Sequence, residues 1–217
     1  MNIEQARFNM IEQQIRPWDV LDPGVLELLA VMRREDFVPA EHRALAFVDT
    51  EVPLPGGQCM LAPKVEARLL QELAVHKHER VLEIGAGSGY MAALLAHKSQ
   101  HVTTLEILPE LARFASANLK RAGVTNATVV EADGASGWPG EGPYDVIVLS
   151  GSVAEVPQAL LAQLKVGGRL SAIVGFEPVM RAVLITRSSE LGLPRTVLFD
   201  TVAPRLQGFA EPTRFHF

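Results

Sequence analysis

The sequence has few of the features that mark secreted, membrane or nucleic-acid-binding proteins. Its 217 residues include a single cysteine, Cys59, which excludes an intrachain disulfide and is typical of the reducing cytoplasm. No apolar run approaches the roughly 20 residues that span a bilayer as a helix, so no membrane association is expected. With 20 Lys and Arg against 25 Asp and Glu the net charge is −5, and no nucleic-acid partner is indicated.

Helical patterns fill the first part of the chain. Apolar residues recur at helical spacing over residues 3–16 and again over residues 23–34, and Pro63 is placed to open a third helix. We therefore predict a helical N-terminal extension with a substrate-side loop over residues 1–78. An H-x-H pair at residues 76–78 has no further ligands at metal spacing, so no metal site is predicted.

Short apolar strands alternate with helices in the rest of the chain. Strands are predicted at residues 81–84, 101–106, 127–133, 144–150, 167–175, 181–188 and 195–202, and helices at about residues 90–96, 109–123 and 155–164. The last two strands are linked by too few residues for a crossover helix, so they should pair antiparallel. The pattern predicts an α/β fold over residues 79–217: a doubly wound, mostly parallel seven-stranded sheet with an antiparallel C-terminal hairpin.

The segment VLEIGAGSGY joins the first of these strands to a helix through Gly85, Gly87 and Gly89. Glycine lets the backbone approach a ligand closely, and ligands of such sheets bind at the carboxyl ends of the strands. A dinucleotide fingerprint would need a further glycine where this chain has Tyr90. A nicotinamide-dependent oxidoreductase is therefore the disfavoured alternative.

The G-x-G-x-G spacing resembles the first motif of Rossmann-like methyltransferases that use S-adenosylmethionine. The resemblance implies that the loop curls around the amino-acid part of the cofactor. Glu106, at the end of the second strand, would accept both ribose hydroxyls, while Asp133 would meet the adenine amino group and Gly134 would leave room for the ring. The implied cofactor-binding residues are Glu83, Gly85, Ala86, Gly87, Gly89, Tyr90, Glu106, Ile107, Asp133 and Gly134.

The resemblance narrows to the protein-L-isoaspartate (D-aspartate) O-methyltransferase family. It is carried by MIEQQIR, AFVDTEVPLPGGQCMLAPKVEARLLQEL, VLEIGAGSGYMAALLA and GPYDVIVLSGSVAEVPQALLAQLKVGGRLSAIVG. Members methylate the carboxylate of L-isoaspartyl and D-aspartyl residues in damaged proteins, which starts repair, and release S-adenosylhomocysteine. The resemblance implies this activity here, with isoaspartyl peptides or proteins as substrates and the enzyme as a monomer or small homo-oligomer.

The loop ahead of Pro63 departs from the family pattern, which commonly reads Gln-Thr-Ile-Ser. Here Leu61 stands at the serine position, and a leucine donates no hydrogen bond to a substrate carboxylate. Two replacements are expected: backbone N–H groups over residues 62–65 at a helix N-terminus, and the charge of Lys64. The candidate catalytic residues are Gln58, Cys59, Leu61 and Lys64. The leucine leaves open a different methyl acceptor, or a protein that binds the cofactor without catalysis.

Overall fold

The computed structural model describes residues 2–211, and its N-terminal third is mainly helical. The helices are α1 (Ile3–Met10), continued by a π-helix over Ile11–Ile15, α2 (Pro23–Val31) and α3 (Pro63–Leu73). A small hairpin between α2 and α3 pairs β1 (Val52–Pro53) with β2 (Cys59–Met60). Asp22 caps α2 by accepting a hydrogen bond from the Val25 N–H, and Pro63 opens α3, as the sequence predicts.

A seven-stranded sheet follows in the chain. Its strands are β3 (Arg80–Ile84), β4 (His101–Glu106), β5 (Ala127–Glu131), β6 (Tyr144–Val153), β7 (Leu164–Phe176), β8 (Val179–Thr186) and β9 (Arg195–Thr201). They lie in the order β5-β4-β3-β6-β7-β8-β9. The pairs from β5 to β7 are parallel, and β8 pairs antiparallel with both of its neighbours. The predicted seven-stranded, mostly parallel sheet with an antiparallel C-terminal hairpin is confirmed.

Helices cover the two faces of this sheet unequally. The connecting helices are α4 (Tyr90–Lys98), α5 (Pro109–Arg121) and α6 (Gln158–Leu161). One hydrophobic cluster packs the N-terminal helices, α4 and α5 on the same face, and a second cluster packs α6 and the C-terminal segment on the other. The first cluster includes side chains from both sides of the predicted boundary at residue 78, and the division into residues 1–78 and 79–217 stays a prediction.

Two helices are shorter than the sequence predicts. Helix α2 ends at Val31 instead of residue 34, because Met32 adopts extended backbone and the chain turns Arg34 into the interior. The helix predicted over residues 155–164 is a single turn, α6. Pro157 precedes that turn, and the carbonyl of Gln163 already accepts a hydrogen bond from the Tyr144 N–H at the sheet.

The topology places a crevice at the carboxyl ends of β3 and β6. Strand β3 pairs with β4 on one side and with β6 on the other, so the strand order reverses at β3. Ligands of open α/β sheets bind at such a reversal. No helix in the described part of the chain is long and apolar enough to cross a membrane.

Candidate active site

The glycine loop, residues 85–89, turns the chain from β3 into α4 at this crevice. Gly85, Gly87 and Gly89 have φ values of 91°, 53° and 83°, a region that residues with side chains rarely occupy. At Gly89 a Cβ atom would also lie 3.1 Å from the carbonyl oxygen of Ala115 in α5. Glycine is therefore required by the path of this loop and by its contact with α5.

Glu83 is fully buried and ties three strands together. Its carboxylate oxygens accept hydrogen bonds from Thr104 Oγ1 on β4 and from Ser150 Oγ on β6, both at 2.7 Å. Burial raises the pKa of Glu83 to about 7, and these two hydrogen bonds oppose the rise. Glu83 thus fixes the start of the glycine loop against both neighbouring strands.

Glu106 clamps the glycine loop from the end of β4. One carboxylate oxygen accepts a hydrogen bond from the Gly87 N–H at 2.8 Å, and the other accepts from the Leu108 N–H at 3.0 Å. An ionised carboxylate has about four acceptor sites, so roughly two remain for the ribose hydroxyls expected from the sequence. Ile107, which follows, is partly exposed.

Asp133 and Gly134 lie in the turn after β5. The exposed carboxylate of Asp133 accepts a hydrogen bond from the Ala135 N–H at 2.9 Å. Gly134 is buried, and a Cβ atom there would lie 2.4 Å from Cγ2 of Ile84. The glycine is therefore required by packing against β3, whatever room it also leaves for an adenine ring.

Replacing Gly134 by alanine is expected to destabilise the protein by about 1–3 kcal/mol, because the added methyl group overpacks Ile84. Urea unfolding measures the change. Gly140→Ala is the matched control, since no atom lies within 4 Å of a Cβ at that position. Equal stability of the two variants would show that the Ile84 side chain can move to accommodate the methyl group without lowering the free energy of unfolding.

The C-terminal segment, residues 203–209, lies across the cofactor side of the crevice. The side chain of Leu206 packs on the start of the glycine loop, and Gly208 lies so close to Asp133 that a Cβ atom would fall 2.4 Å from its Oδ1. The Ser152 hydroxyl anchors the segment by donating to the Ala203 carbonyl oxygen at 2.7 Å. The candidate cofactor residues therefore have a cover that motif spacing did not indicate.

The acceptor loop, residues 58–62, faces the glycine loop across a small cavity. Cys59, Met60 and Leu61 line this cavity of about 20 Å³, and Gln58 does not. The remaining lining residues are Glu66, Glu83, Gly85, Ala86, Gly87, Ser88, Met91 and Ser150. The fold thus brings the two stretches singled out in the sequence to one place.

The polar candidates of the acceptor loop are engaged in local structure. The Gln58 carbonyl accepts a hydrogen bond from the Leu54 N–H at 2.8 Å, which closes the β1–β2 hairpin. Burial is the main cause that raises the pKa of Cys59 to about 12, and the nearby Glu51 adds to the rise. The thiol is therefore protonated at neutral pH. A thiolate nucleophile at Cys59 is not supported.

The Lys64 ammonium group contacts two other residues of the predicted N-terminal extension. Its Nζ lies 2.7 Å from Oδ2 of Asp49 and 4.7 Å from the centre of the Trp18 ring. Both Lys64 and Asp49 side chains are about one-third exposed or less. Lys64 is therefore already paired, and its role toward a substrate stays a prediction.

A cluster of three buried residues lies beside the two loops, and the sequence patterns indicate no role for two of them, Arg34 and Glu66. The Arg34 guanidinium pairs with the Glu66 carboxylate and lies 4.8 Å from the centre of the Tyr90 ring. Burial raises the pKa of Glu66 to about 7 against the opposing effect of Arg34. The Tyr90 ring is buried edge-on against Phe37, at 5.4 Å between centroids, and its cofactor role stays a prediction.

Known proteins are similar to this chain in sequence and in overall fold. The family model described as protein-L-isoaspartate(D-aspartate) O-methyltransferase matches residues 5–194. The chain belongs to this family. The protein-L-isoaspartate O-methyltransferase of Rhodopseudomonas palustris is 41% identical over 207 residues, covering 94% of this chain and 95% of that protein. The Methanoculleus marisnigri protein of the same name is 44% identical over 171 residues, covering 79% of this chain and 78% of its own length.

Solved structures agree with the assignment to the protein-L-isoaspartate O-methyltransferase family. One protein-L-isoaspartate O-methyltransferase matches with a TM-score of 0.80 and 26% identity over 93% of this chain, which spans 66% of that protein. A Plasmodium falciparum protein crystallised with S-adenosyl-L-homocysteine matches with a TM-score of 0.79 at 22% identity. The match covers 95% of this chain and 99% of that protein, and at this identity it shows similarity of fold alone. The family, enzyme class and S-adenosylmethionine dependence expected from the sequence are confirmed.

For this member of the family, stability should fall as pH rises from about 4.5 to about 7. Glu83 binds its proton more tightly when folded, with a pKa near 7 against an ordinary value of 4.5. The free energy of unfolding therefore decreases as pH rises between these values, by about 3 kcal/mol for Glu83. Urea unfolding at several pH values should show a flatter profile for Glu83→Gln. The exposed Glu110→Gln serves as control, and an unchanged profile for Glu83→Gln would contradict the assignment.

Proposed function

We propose that this chain transfers the methyl group of S-adenosylmethionine to the carboxylate of L-isoaspartyl and D-aspartyl residues in damaged proteins. The observation that carries the proposal is the shared cavity between the acceptor loop and the glycine loop. A methyl donor held by one loop would face an acceptor held by the other. Family membership supplies the reaction class, and the two loops that face each other across the cavity support this part of the chain as its site.

The residues at the crevice fit the methyl donor. The glycine loop carries no side chain at Gly85, Gly87 and Gly89, and Glu106 retains acceptor sites for two hydroxyl groups after clamping that loop. When bound, S-adenosylmethionine supplies an electrophilic methyl group on a positively charged sulfur.

The reaction needs no general base from the protein. An aspartyl carboxylate has an ordinary pKa of about 3.9 and is ionised at pH 7, so it is already a nucleophile. This agrees with a protonated Cys59 thiol and a Lys64 amine that is paired with Asp49. The contribution of the loops is to align the reacting atoms and to exclude water, and buried Met60 and Leu61 form an apolar wall for that purpose.

Backbone N–H groups at the start of α3 are the proposed donors to the acceptor carboxylate. The Val65 and Glu66 N–H groups both donate to the Ala62 carbonyl oxygen, and Pro63 has no N–H. The N–H groups of Ala62 and Lys64 have no acceptor in the described part of the chain. These two groups are therefore left to replace the missing serine hydroxyl.

We also propose where this enzyme acts and with which partners. The single cysteine supports a cytoplasmic enzyme, and the acidic net charge supports one without a nucleic-acid partner. We further propose that it acts on proteins and peptides, without a membrane partner, as a monomer or small homo-oligomer.

An acceptor panel tests the proposal. Peptides that differ only in an L-isoaspartyl, D-aspartyl or L-aspartyl residue are incubated with the protein and S-adenosylmethionine, and mass spectrometry follows methylation. We expect a single added methyl group on the first two peptides, lost in mild base as a carboxyl ester is. Equal modification of the L-aspartyl peptide, or a base-stable product, would favour the alternative of a same-fold methyltransferase with another acceptor.

A further inference from the structure

Arg34 is a buried arginine that contacts three separate parts of the molecule. It lies in the turn after α2 and is 1% exposed. Its Nη1 pairs with the Glu66 carboxylate on α3, and its Nη2 donates to the Leu61 carbonyl oxygen at 2.8 Å. The same guanidinium lies over the Tyr90 ring, directly after the glycine loop. One side chain therefore touches the acceptor loop, the helix behind it and the helix that starts at the cofactor loop.

We propose that Arg34 is a positioning residue that holds the acceptor loop in place against the glycine loop. The inference rests on the proposed function, because it assigns Leu61 to the acceptor side of the cavity. The loop has few other tethers: its β1–β2 hairpin has two residues per strand. A charge-assisted hydrogen bond from a buried arginine is stronger than an ordinary backbone contact, so Arg34 supplies the orientation that the short hairpin lacks.

The geometry requires an arginine. The planar guanidinium presents several donors in fixed directions and stacks on an aromatic face, while a lysine offers one compact charge. Arg34 uses both properties, since it donates hydrogen bonds to the Glu66 carboxylate and the Leu61 carbonyl while its guanidinium lies over the Tyr90 ring. A lysine at this position would retain a charge for Glu66 and lose the simultaneous contact with the loop.

Cys59 is a natural reporter of the loop. It is the only cysteine of the chain, it is partly buried, and it lies two residues before Leu61 in β2. A thiol reagent reacts with this partly buried cysteine faster when the loop opens and exposes more of the side chain. Its labelling rate therefore reports the exposure of the loop without any methyl acceptor, and a variant that keeps Glu66 is decisive because Glu66 also raises the pKa of Cys59.

The test compares three variants with the wild type. Arg34→Met/Glu66→Leu removes the donor without stranding a buried charge, because replacing both members of a buried pair by apolar residues is often tolerated. Arg34→Lys is a separate single variant that retains a positive charge at residue 34 and leaves Glu66 in place. Arg33→Met is the matched control, since the neighbouring Arg33 side chain is 62% exposed and pairs only with Glu35 and Asp36 among the described residues.

We expect Cys59 to be labelled about tenfold faster or more in the double variant and in Arg34→Lys, and at the wild-type rate in Arg33→Met. For the isoaspartyl peptide, kcat/KM should fall about tenfold in the same two variants, while S-adenosylhomocysteine affinity changes less than about threefold. Wild-type labelling in Arg34→Lys would overturn the proposal, even if the double variant fails to fold. Faster labelling in an enzyme without isoaspartyl activity would support loop positioning and reject the proposed acceptor.

Discussion

Replacing Glu106 by glutamine is expected to weaken S-adenosylhomocysteine binding by about a hundredfold. The carboxylate accepts from Gly87 and Leu108 N–H groups through different oxygens, and a glutamine can accept through only one. One N–H group then faces an amide donor, and the ribose hydroxyls that we propose for this site lose a charged acceptor. Each charge-assisted hydrogen bond is worth about 1.5–3 kcal/mol, and about 2.7 kcal/mol corresponds to a hundredfold in affinity.

Isothermal titration calorimetry measures this loss. Glu110→Gln is the matched control, because it makes the same chemical change at an exposed position in the first turn of α5. Unfolding curves for both variants separate weaker binding from loss of fold. Wild-type affinity in Glu106→Gln would show that the residue holds neither the loop nor the ribose in the way proposed.

Replacing Leu61 by serine should raise methyl transfer to an isoaspartyl peptide by about tenfold in kcat/KM. Leu61 lines the cavity between the two loops, where a hydroxyl could donate to the acceptor carboxylate. A hydrogen bond to a charged group is worth about 1.5–3 kcal/mol, and part of that gain is offset because the small side chain loosens a buried wall. The expected net gain corresponds to about one factor of ten.

Cys59→Ser is the control for Leu61→Ser. It introduces the same hydroxyl into the same loop at a residue that also lines the cavity. A gain confined to Leu61→Ser would place the acceptor carboxylate beside residue 61. A gain in Cys59→Ser alone would place it beside residue 59, two positions earlier in the chain. No gain in either variant would indicate that backbone donors already saturate the carboxylate.

The parts of the site that depend on local chain geometry could be predicted from the sequence. The glycine spacing indicates a strand-to-helix turn, and Gly85, Gly87 and Gly89 adopt the positive φ values that such a turn needs. Proline and glycine also marked the ends of α5, which spans Pro109–Arg121 with Gly123 beyond it. Likewise, the continuous apolar runs of the central strands predict that these strands are buried on both faces of a parallel sheet.

The contacts between distant segments could not be predicted in the same way. Arg34 looks like part of a charged surface run, and only the fold shows that it meets Glu66 and the Leu61 carbonyl. One signal existed for Glu66, since it lies three and four residues before Leu69 and Leu70 on the buried stripe of α3. The cover formed by Leu206 and Gly208 left no comparable signal, because it depends on where the last strand ends.

The most direct test of the account is transfer of labelled methyl from S-adenosylmethionine to an isoaspartyl peptide, with the aspartyl peptide as control. Cofactor binding is measured by calorimetry in the same preparation. We predict tight cofactor binding together with base-labile label on the isoaspartyl peptide alone. Tight cofactor binding without transfer would contradict the repair function and leave a cofactor-binding protein that has another acceptor or no catalytic role.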